Sequence, residues 1–374
     1  MSEQNPYPHY SLREDYVLWV LLAALIVLTA IAPDKIISYP QRVDWSTIQT
    51  LLGLLILTKG IEASGWLSRV SARIALHIRS ERTLALFLMA SSALLAMLLT
   101  NDIALFIMVP LTLSLGAIML LPLRRLVIFE ALAVNAGSLL TPIGNPQNIF
   151  LWQHADVGFG AFVWRMLPLC AMCLITLGAF GCAAFKARPV HANEPQHQPL
   201  LDRRVLLVSA LFYLPFLILA DLHHTALALG LVAVVFLAGA PRILRRIDWP
   251  LVVVFVLMFI DLRLLTEQAW MTRALATLDM QRPGSVFVVG ALLSQGISNV
   301  PAAILLAHYS NDWSALAWGV NVGGFGLLIG SLANIIALRI GRQHGSLRAF
   351  HAWSLPFFLT VGALAWLWLR LAGT

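Results

Sequence analysis

Charge is what this chain lacks. Only 11% of its 374 residues are Asp, Glu, Lys or Arg, where a soluble globular chain carries about a quarter. With 59% of residues hydrophobic, that scarcity excludes an ordinary soluble fold and points to a membrane protein. Cysteine is scarce too. Cys170, Cys173 and Cys182 share one apolar stretch, and because zinc needs thiolates that are costly inside lipid, they read as small core residues. The chain has no His-Glu-x-x-His, Gly-x-Gly-Asp or Gly-x-Ser-Gly motif, which argues against an intramembrane enzyme, and no phosphate-binding Gly-x4-Gly-Lys-[Ser/Thr] loop, which argues against a built-in ATPase motor. No enzyme activity and no resident cofactor or metal are expected. The first sixteen residues are polar and mixed in charge, and the apolar run after them meets Pro33-Asp34-Lys35 rather than a small-residue cleavage site, so no cleavable signal is expected.

What is present is a series of long apolar runs. Those long enough to span fall near 17–33, 46–62, 126–152, 162–185, 205–221, 225–241, 249–265, 314–340 and 351–371. Two further stretches are interrupted at their centres: 83–121 by Thr100-Asn101-Asp102, and 285–309 by Gln295, Ser298 and Asn299. The second is too short for two spans of about 17 residues each, and each reads as a re-entrant hairpin, which membrane depth tolerates where backbone is buried or lines a cavity. The net charge of +7 sits in short loops between apolar runs, which suits orientation in a bilayer and not nucleic-acid binding. With the N-terminus inside, all Lys and Arg except Lys35, Arg42, Arg165, Arg263, Arg273, Arg282 and Arg370 fall on the cytoplasmic side. The C-terminus is then outside.

The chain also repeats itself. Residues 134–149 and 320–335 share Val134/Val320, Asn135/Asn321, Gly137/Gly323, Ile143/Ile329, Gly144/Gly330, Asn148/Asn334 and Ile149/Ile335. Upstream, Arg42/Arg246, Asp44/Asp248, Trp45/Trp249, Ile56/Ile260, Trp66/Trp270, Arg69/Arg273 and Ala72/Ala276 are identical, and Lys59 meets Arg263. The expected organisation is an N-terminal repeat over 1–185, a linker and connecting span over 186–221, and a C-terminal repeat over 222–374. The odd connecting span turns the second half over, giving an inverted-topology repeat. Trp66, Val70, Ile74 and Ile78, mirrored by Trp270, Ala274 and Leu278, suggest amphipathic helices lying in the interface. The linker over 186–204 is expected to move freely.

Paired broken helices are the best sequence pointer to the binding site of a secondary transporter. Gly144 and Gly330 permit the break, having no Cβ, and Pro146 suits the first turn of the resuming half-helix. Half-helix starts favour anions and half-helix ends favour cations. The candidate substrate- and ion-binding residues are Thr100, Asn101, Asp102, Thr141, Gly144, Asn145, Asn148, Ser298, Asn299, Gly330, Ser331 and Asn334. Asp102 is the one acid expected inside this chamber. It either couples transport to a sodium ion or proton, or merely caps the half-helix after the tip. Glu130 and Asp261 read as lying near helix ends, solvated or paired. His223-His224 read as solvated loop residues, and His308 as a residue that can line an access path.

Thr100-Asn101-Asp102 and Ser298-Asn299-Val300-Pro301 resemble the Ser-Asn-Thr hairpin tips of the ion-transporter superfamily. Residues 141–148 and 328–334 resemble the broken helices of its citrate transporter, arsenite-pump-subunit and sodium/proton-antiporter branches. The resemblance covers nearly all the chain from about residue 40. It implies an all-α polytopic fold with two hairpins and two broken helices, a scaffold with a moving transport domain, and an elevator-like motion in a homodimer. It further implies a substrate site at the tips, with coupling sodium at Asn101, Asp102 and Asn299. Asp102 and Val300 stand where that pattern has a small hydroxyl residue, which leaves dicarboxylate specificity open. The expectation is a secondary active transporter of a small anion or oxyanion, carboxylate or arsenite-like, in a bacterial inner membrane. A sodium/proton antiporter using Asp102 is the second reading, and a non-transporting sensor or assembly protein a third.

Overall fold

Polar residues set where the apolar runs become helices. Asp44 starts α2 (Trp45–Ala63) by accepting from the Thr47 amide at 3.0 Å. Ser80 starts α3 (Glu81–Leu98) through the Thr83 amide at 3.1 Å. Asp202 caps α8 (Arg203–Asp221) and Asp312 caps α13 (Trp313–Gly323) in the same way. Each cap satisfies a backbone donor that the first turn leaves unpaired. The computed structural model describes residues 16–66, 69, 80–118, 120–190, 201–247, 249–268, 273, 278–341 and 346–371. Among them the regular elements are helical, with one isolated β-type pairing of Ser80 with Pro189.

The other described helices of eight or more residues are α1 (Tyr16–Ile31), α4 (Asn101–Ile118), α5 (Leu123–Ser138), α6 (Pro146–His154), α7 (Phe159–Ala184), α9 (Thr225–Gly239), α10 (Trp249–Thr266), α11 (Pro283–Ile297), α12 (Asn299–Leu306), α14 (Leu332–Gly341) and α15 (Ser346–Leu371). They form two packed groups. In one, α1 lies on α10, and α2 lies on α8 and α9. In the other, α3 packs on α5, α11 on α13, and α14 on both α4 and α5. Small residues let that last approach be close, with Ala104, Ala131, Ala333 and Ala337 all buried in one cluster. The groups touch where α2 meets α6 and where α10 meets α12.

This is an all-α, multi-pass membrane protein. α7 and α15 each have 26 residues, about 39 Å of helix at about 1.5 Å per residue, more than the hydrocarbon core of about 30 Å. Among the described residues, Glu81–Leu98, Phe159–Ala184, Arg203–Asp221 and Leu347–Leu371 are long and apolar enough to cross a bilayer, and α1, α9, α11 and part of α4 are shorter apolar helices. On α8, Leu207, Leu211, Leu214 and Ile218 recur along one exposed face. Such a stripe is costly in water and at home in lipid.

The interruptions fall inside the stretches that the sequence marks. α3 and α4 are joined at Leu99-Thr100, and α11 and α12 at Ser298. The helix over 123–154 is open between Ser138 and Pro146, and the one over 313–341 between Gly323 and Leu332. α3 is long enough to cross on its own, which a hairpin arm does not require. The linker departs from expectation at its start: the Glu81 and Arg82 amides donate to the Arg188 and Lys186 carbonyls at 2.8 and 3.2 Å, tying that segment to α3. The proposed interfacial helices lie outside the described residues, apart from Trp66, Arg69, Arg273 and Leu278.

Candidate functional site

The breaks are held open by amide side chains that reach from one half of the chain to the other. Asn135, in the last turn of α5, donates to the Asn334 side-chain carbonyl at 2.9 Å, and the Ser331 hydroxyl donates to Asn135 at 3.1 Å. Asn321, in the last turn of α13, donates to the Asn148 side-chain carbonyl at 2.7 Å and accepts from Asn145 at 3.0 Å and Gln147 at 3.2 Å. The two arrangements exchange partners: the residue before each break bonds the residue after the other.

Asn148 and Asn334 clamp the breaks. The Asn148 amide donates to the carbonyls of Leu139 and Thr141 at 3.2 and 3.1 Å, and that of Asn334 to Gly324 at 2.8 Å. Both are fully buried, and their donors take up carbonyls that a broken helix leaves unpaired. Asn145 caps α6 through the Asn148 amide and also donates to Ser138. The glycines stand where no side chain fits. A Cβ on Gly144 would lie 2.1 Å from the Ser138 carbonyl oxygen, and one on Gly330 would lie 2.5 Å from that of Gly323.

The hairpin tips attach to these breaks by different contacts. At the first, the Asn101 amide donates to the Gly144 carbonyl at 2.8 Å, while its side chain accepts from the Asp102 amide at 2.9 Å. Asp102 sits in the first turn of α4 and is buried. Thr100 is buried with its hydroxyl unpartnered, and Thr141 donates to the Met97 carbonyl at 2.8 Å, fastening the break to α3. At the second tip, Ser298 has φ 72° and ψ 156°, a region essentially reserved for glycine, so the tip stores strain. Asn299 is buried, with its amide nitrogen against Gly324. Gln295 donates to the Gly323 carbonyl at 2.6 Å and accepts from the Leu327 amide at 2.6 Å. Among the described residues no hydrogen bond joins Asn101 to Asn299; each tip reaches the other through the breaks.

Four half-helix starts, those of α4, α6, α12 and α14, are thereby gathered around one set of amides and hydroxyls. Helix starts expose unpaired N–H groups and favour negative charge. Among the described residues no group of three or more His, Cys, Asp or Glu is placed to hold a metal.

Three features differ from the sequence reading. Asn135 and Asn321 are central, although their match between repeats was their only sequence signal. Glu130 lies mid-way along α5 rather than at its end, fully buried, and accepts a hydrogen bond from the Thr112 hydroxyl of α4. Asp261 is likewise within α10, buried, with neither carboxylate oxygen partnered. Asp102 is therefore one of three buried acids among the described residues.

Comparison with known proteins places the chain among membrane transporters. The family-wide sequence profile described as "Citrate transporter" matches residues 15–318. Inner membrane protein YbiR of Escherichia coli is 40% identical over 349 residues, covering 93% of this chain and 94% of its own. An uncharacterized transporter of Methanocaldococcus jannaschii is 29% identical over 354 residues, covering 92% of this chain and 91% of its own. One from Mycobacterium bovis is 26% identical over 393 residues, covering 93% and 91%.

Proposed function

The chain belongs to the citrate transporter family and is a membrane transporter; from that premise we propose that it is a secondary active transporter of a small anion or oxyanion, carboxylate or arsenite-like. The observation that carries this reading is the meeting of four half-helix starts at the interlocked asparagines. Their dipoles favour an anion without a basic side chain. Anion release then needs no strong ion pair to be broken.

A carboxylate beside an anion repels it. Asp102 therefore carries a proton or sodium ion when the anion binds, which makes uptake depend on a cation gradient. The broken-helix group, α3–α7 with α11–α15, moves as an elevator against α1, α2, α8, α9 and α10, and two copies join through the static group. The two halves form an inverted repeat, with the N-terminus in the cytoplasm and the C-terminus outside. The bacterial inner membrane is the proposed location, in keeping with the name of the Escherichia coli relative, an inner membrane protein.

The test is uptake of labelled citrate, phosphate and arsenite into proteoliposomes holding the full chain, with Asn101→Ala and Asn299→Ala beside it. The proposal expects uptake of at least one anion by the wild type and its loss in both variants at unchanged melting temperature. Wild-type uptake in either variant contradicts the placement of the site at the tips.

A further inference from the structure

Away from the asparagines, three basic side chains converge from three elements. His154 ends α6, His308 follows α12, and Arg263 lies in the last turn of α10. The two imidazole rings are 6.2 Å apart between centroids. Arg263 stands one helical turn beyond Phe259 on the same face of α10, and its guanidinium donates to the Gln41 carbonyl at 3.4 Å. The rings are held in place. His154 stacks on Phe150 at 5.1 Å, and Phe150 in turn meets Phe259 of α10 at 5.6 Å. His308 Nδ1 donates to the Ile304 carbonyl at 3.0 Å, which leaves Nε2 as the nitrogen that can face a ligand.

We propose that Arg263, His154 and His308 form a second anion site, distinct from the asparagine chamber, that takes a carboxylate or oxyanion between α10 and the α6–α12 pair. An arginine guanidinium beside imidazole N–H groups offers the planar donors such anions accept. The presence of Arg263 favours an anion over a metal, since a metal held by two imidazoles would meet its charge. The site lies on the seam where the two helix groups touch: α10 belongs to one, α6 and α12 to the other. An anion held there bridges them and weights the position in which they are together. Its use in transport rests on the function proposed above, but its existence does not.

The test is therefore one of binding. The full chain, purified in nanodiscs, is melted in citrate or in phosphate against chloride at equal ionic strength and fixed pH. A ligand bound only to the folded state raises the melting temperature. The expected result is an increment for citrate or phosphate that is lost in Arg263→Gln and in the His154→Gln/His308→Gln double variant. Arg263→Lys keeps part of it, and Asn299→Ala, altered only in the chamber, keeps the part due to this site. An increment unchanged in Arg263→Gln and the double variant overturns the proposal. So does the absence of any increment, or stabilisation by zinc that Arg263→Gln retains and the histidine variant loses. If the increment behaves as expected while proteoliposomes take up no anion, the site stands and the transport reading falls.

Discussion

The side-chain amide of Asn321 donates to the carbonyl of Asn148 at 2.7 Å across 173 positions of sequence. Asn135 does the same toward Asn334 across 199 positions. Each contact ties the helix before one break to the half-helix after the other, so the two breaks have a common stability.

That relationship makes the asparagine pair energetically coupled. Asn148→Ala and Asn321→Ala should each destabilise the protein, and the double variant should lose less than their sum. A coupling of about 0.6–1.7 kcal/mol is expected for a hydrogen bond inside a membrane bundle. Reversible denaturation of the two single variants and the double variant measures it. Strict additivity would show that the contact contributes nothing.

The glycines at the breaks give a steric prediction. In Gly144→Ala and Gly330→Ala the new methyl group meets a backbone carbonyl at 2.1 and 2.5 Å, so the helix ends must part. Each should cost about 1–3 kcal/mol, the usual penalty of overpacking. Gly178→Ala is the control, because a Cβ there meets nothing within 4 Å and alanine is the better helix former. It should be neutral or slightly stabilising in the same melt.

Away from the chamber, Glu267 accepts from Lys35 at 2.6 Å and from Arg42, joining the end of α10 to the turn after α1. The Arg42 guanidinium bonded to Glu267 holds its carboxyl below the ordinary 4.5; burial, the next largest influence, opposes it, and the Lys35 ammonium adds to the lowering. A depressed acid contributes stability above its unfolded value and loses it as pH falls through the folded value. The melting-temperature gap between wild type and Glu267→Gln should thus be full above about pH 5 and close on acidification below 4.5. Because the carboxylate is 39% exposed, salt should shrink the gap as well. A gap independent of both pH and salt would show that the pair does not contribute.

The membrane class was legible from the scarcity of charge, and the interruptions from Gly, Asn and Pro inside apolar runs, because those residues change backbone behaviour locally. The roles of the amides were not. Whether Asn148 faces a ligand or a carbonyl depends on how near Leu139 and Thr141 come, and on Asn321, which the other half of the chain delivers. Glu130 misled for a similar reason: Thr112, its partner, comes from the neighbouring helix, and no periodicity in α5 records it. The convergence of His154, His308 and Arg263 was equally hidden, since each ends a different element and only packing brings the ends together. His308 alone was marked, as an access-path residue.

The central claim is that a cation gradient drives an anion through the chamber that holds Asp102. Its most direct test is uptake into proteoliposomes under an imposed sodium or proton gradient, wild type against Asp102→Asn, with exchange of labelled for unlabelled anion measured alongside. Asparagine keeps the size and polarity of the side chain but cannot carry the proton or the charge. The account predicts that the wild type accumulates the anion above equilibrium, while Asp102→Asn loses accumulation yet retains folding and some exchange. Accumulation by Asp102→Asn with unchanged dependence on sodium and pH would contradict it.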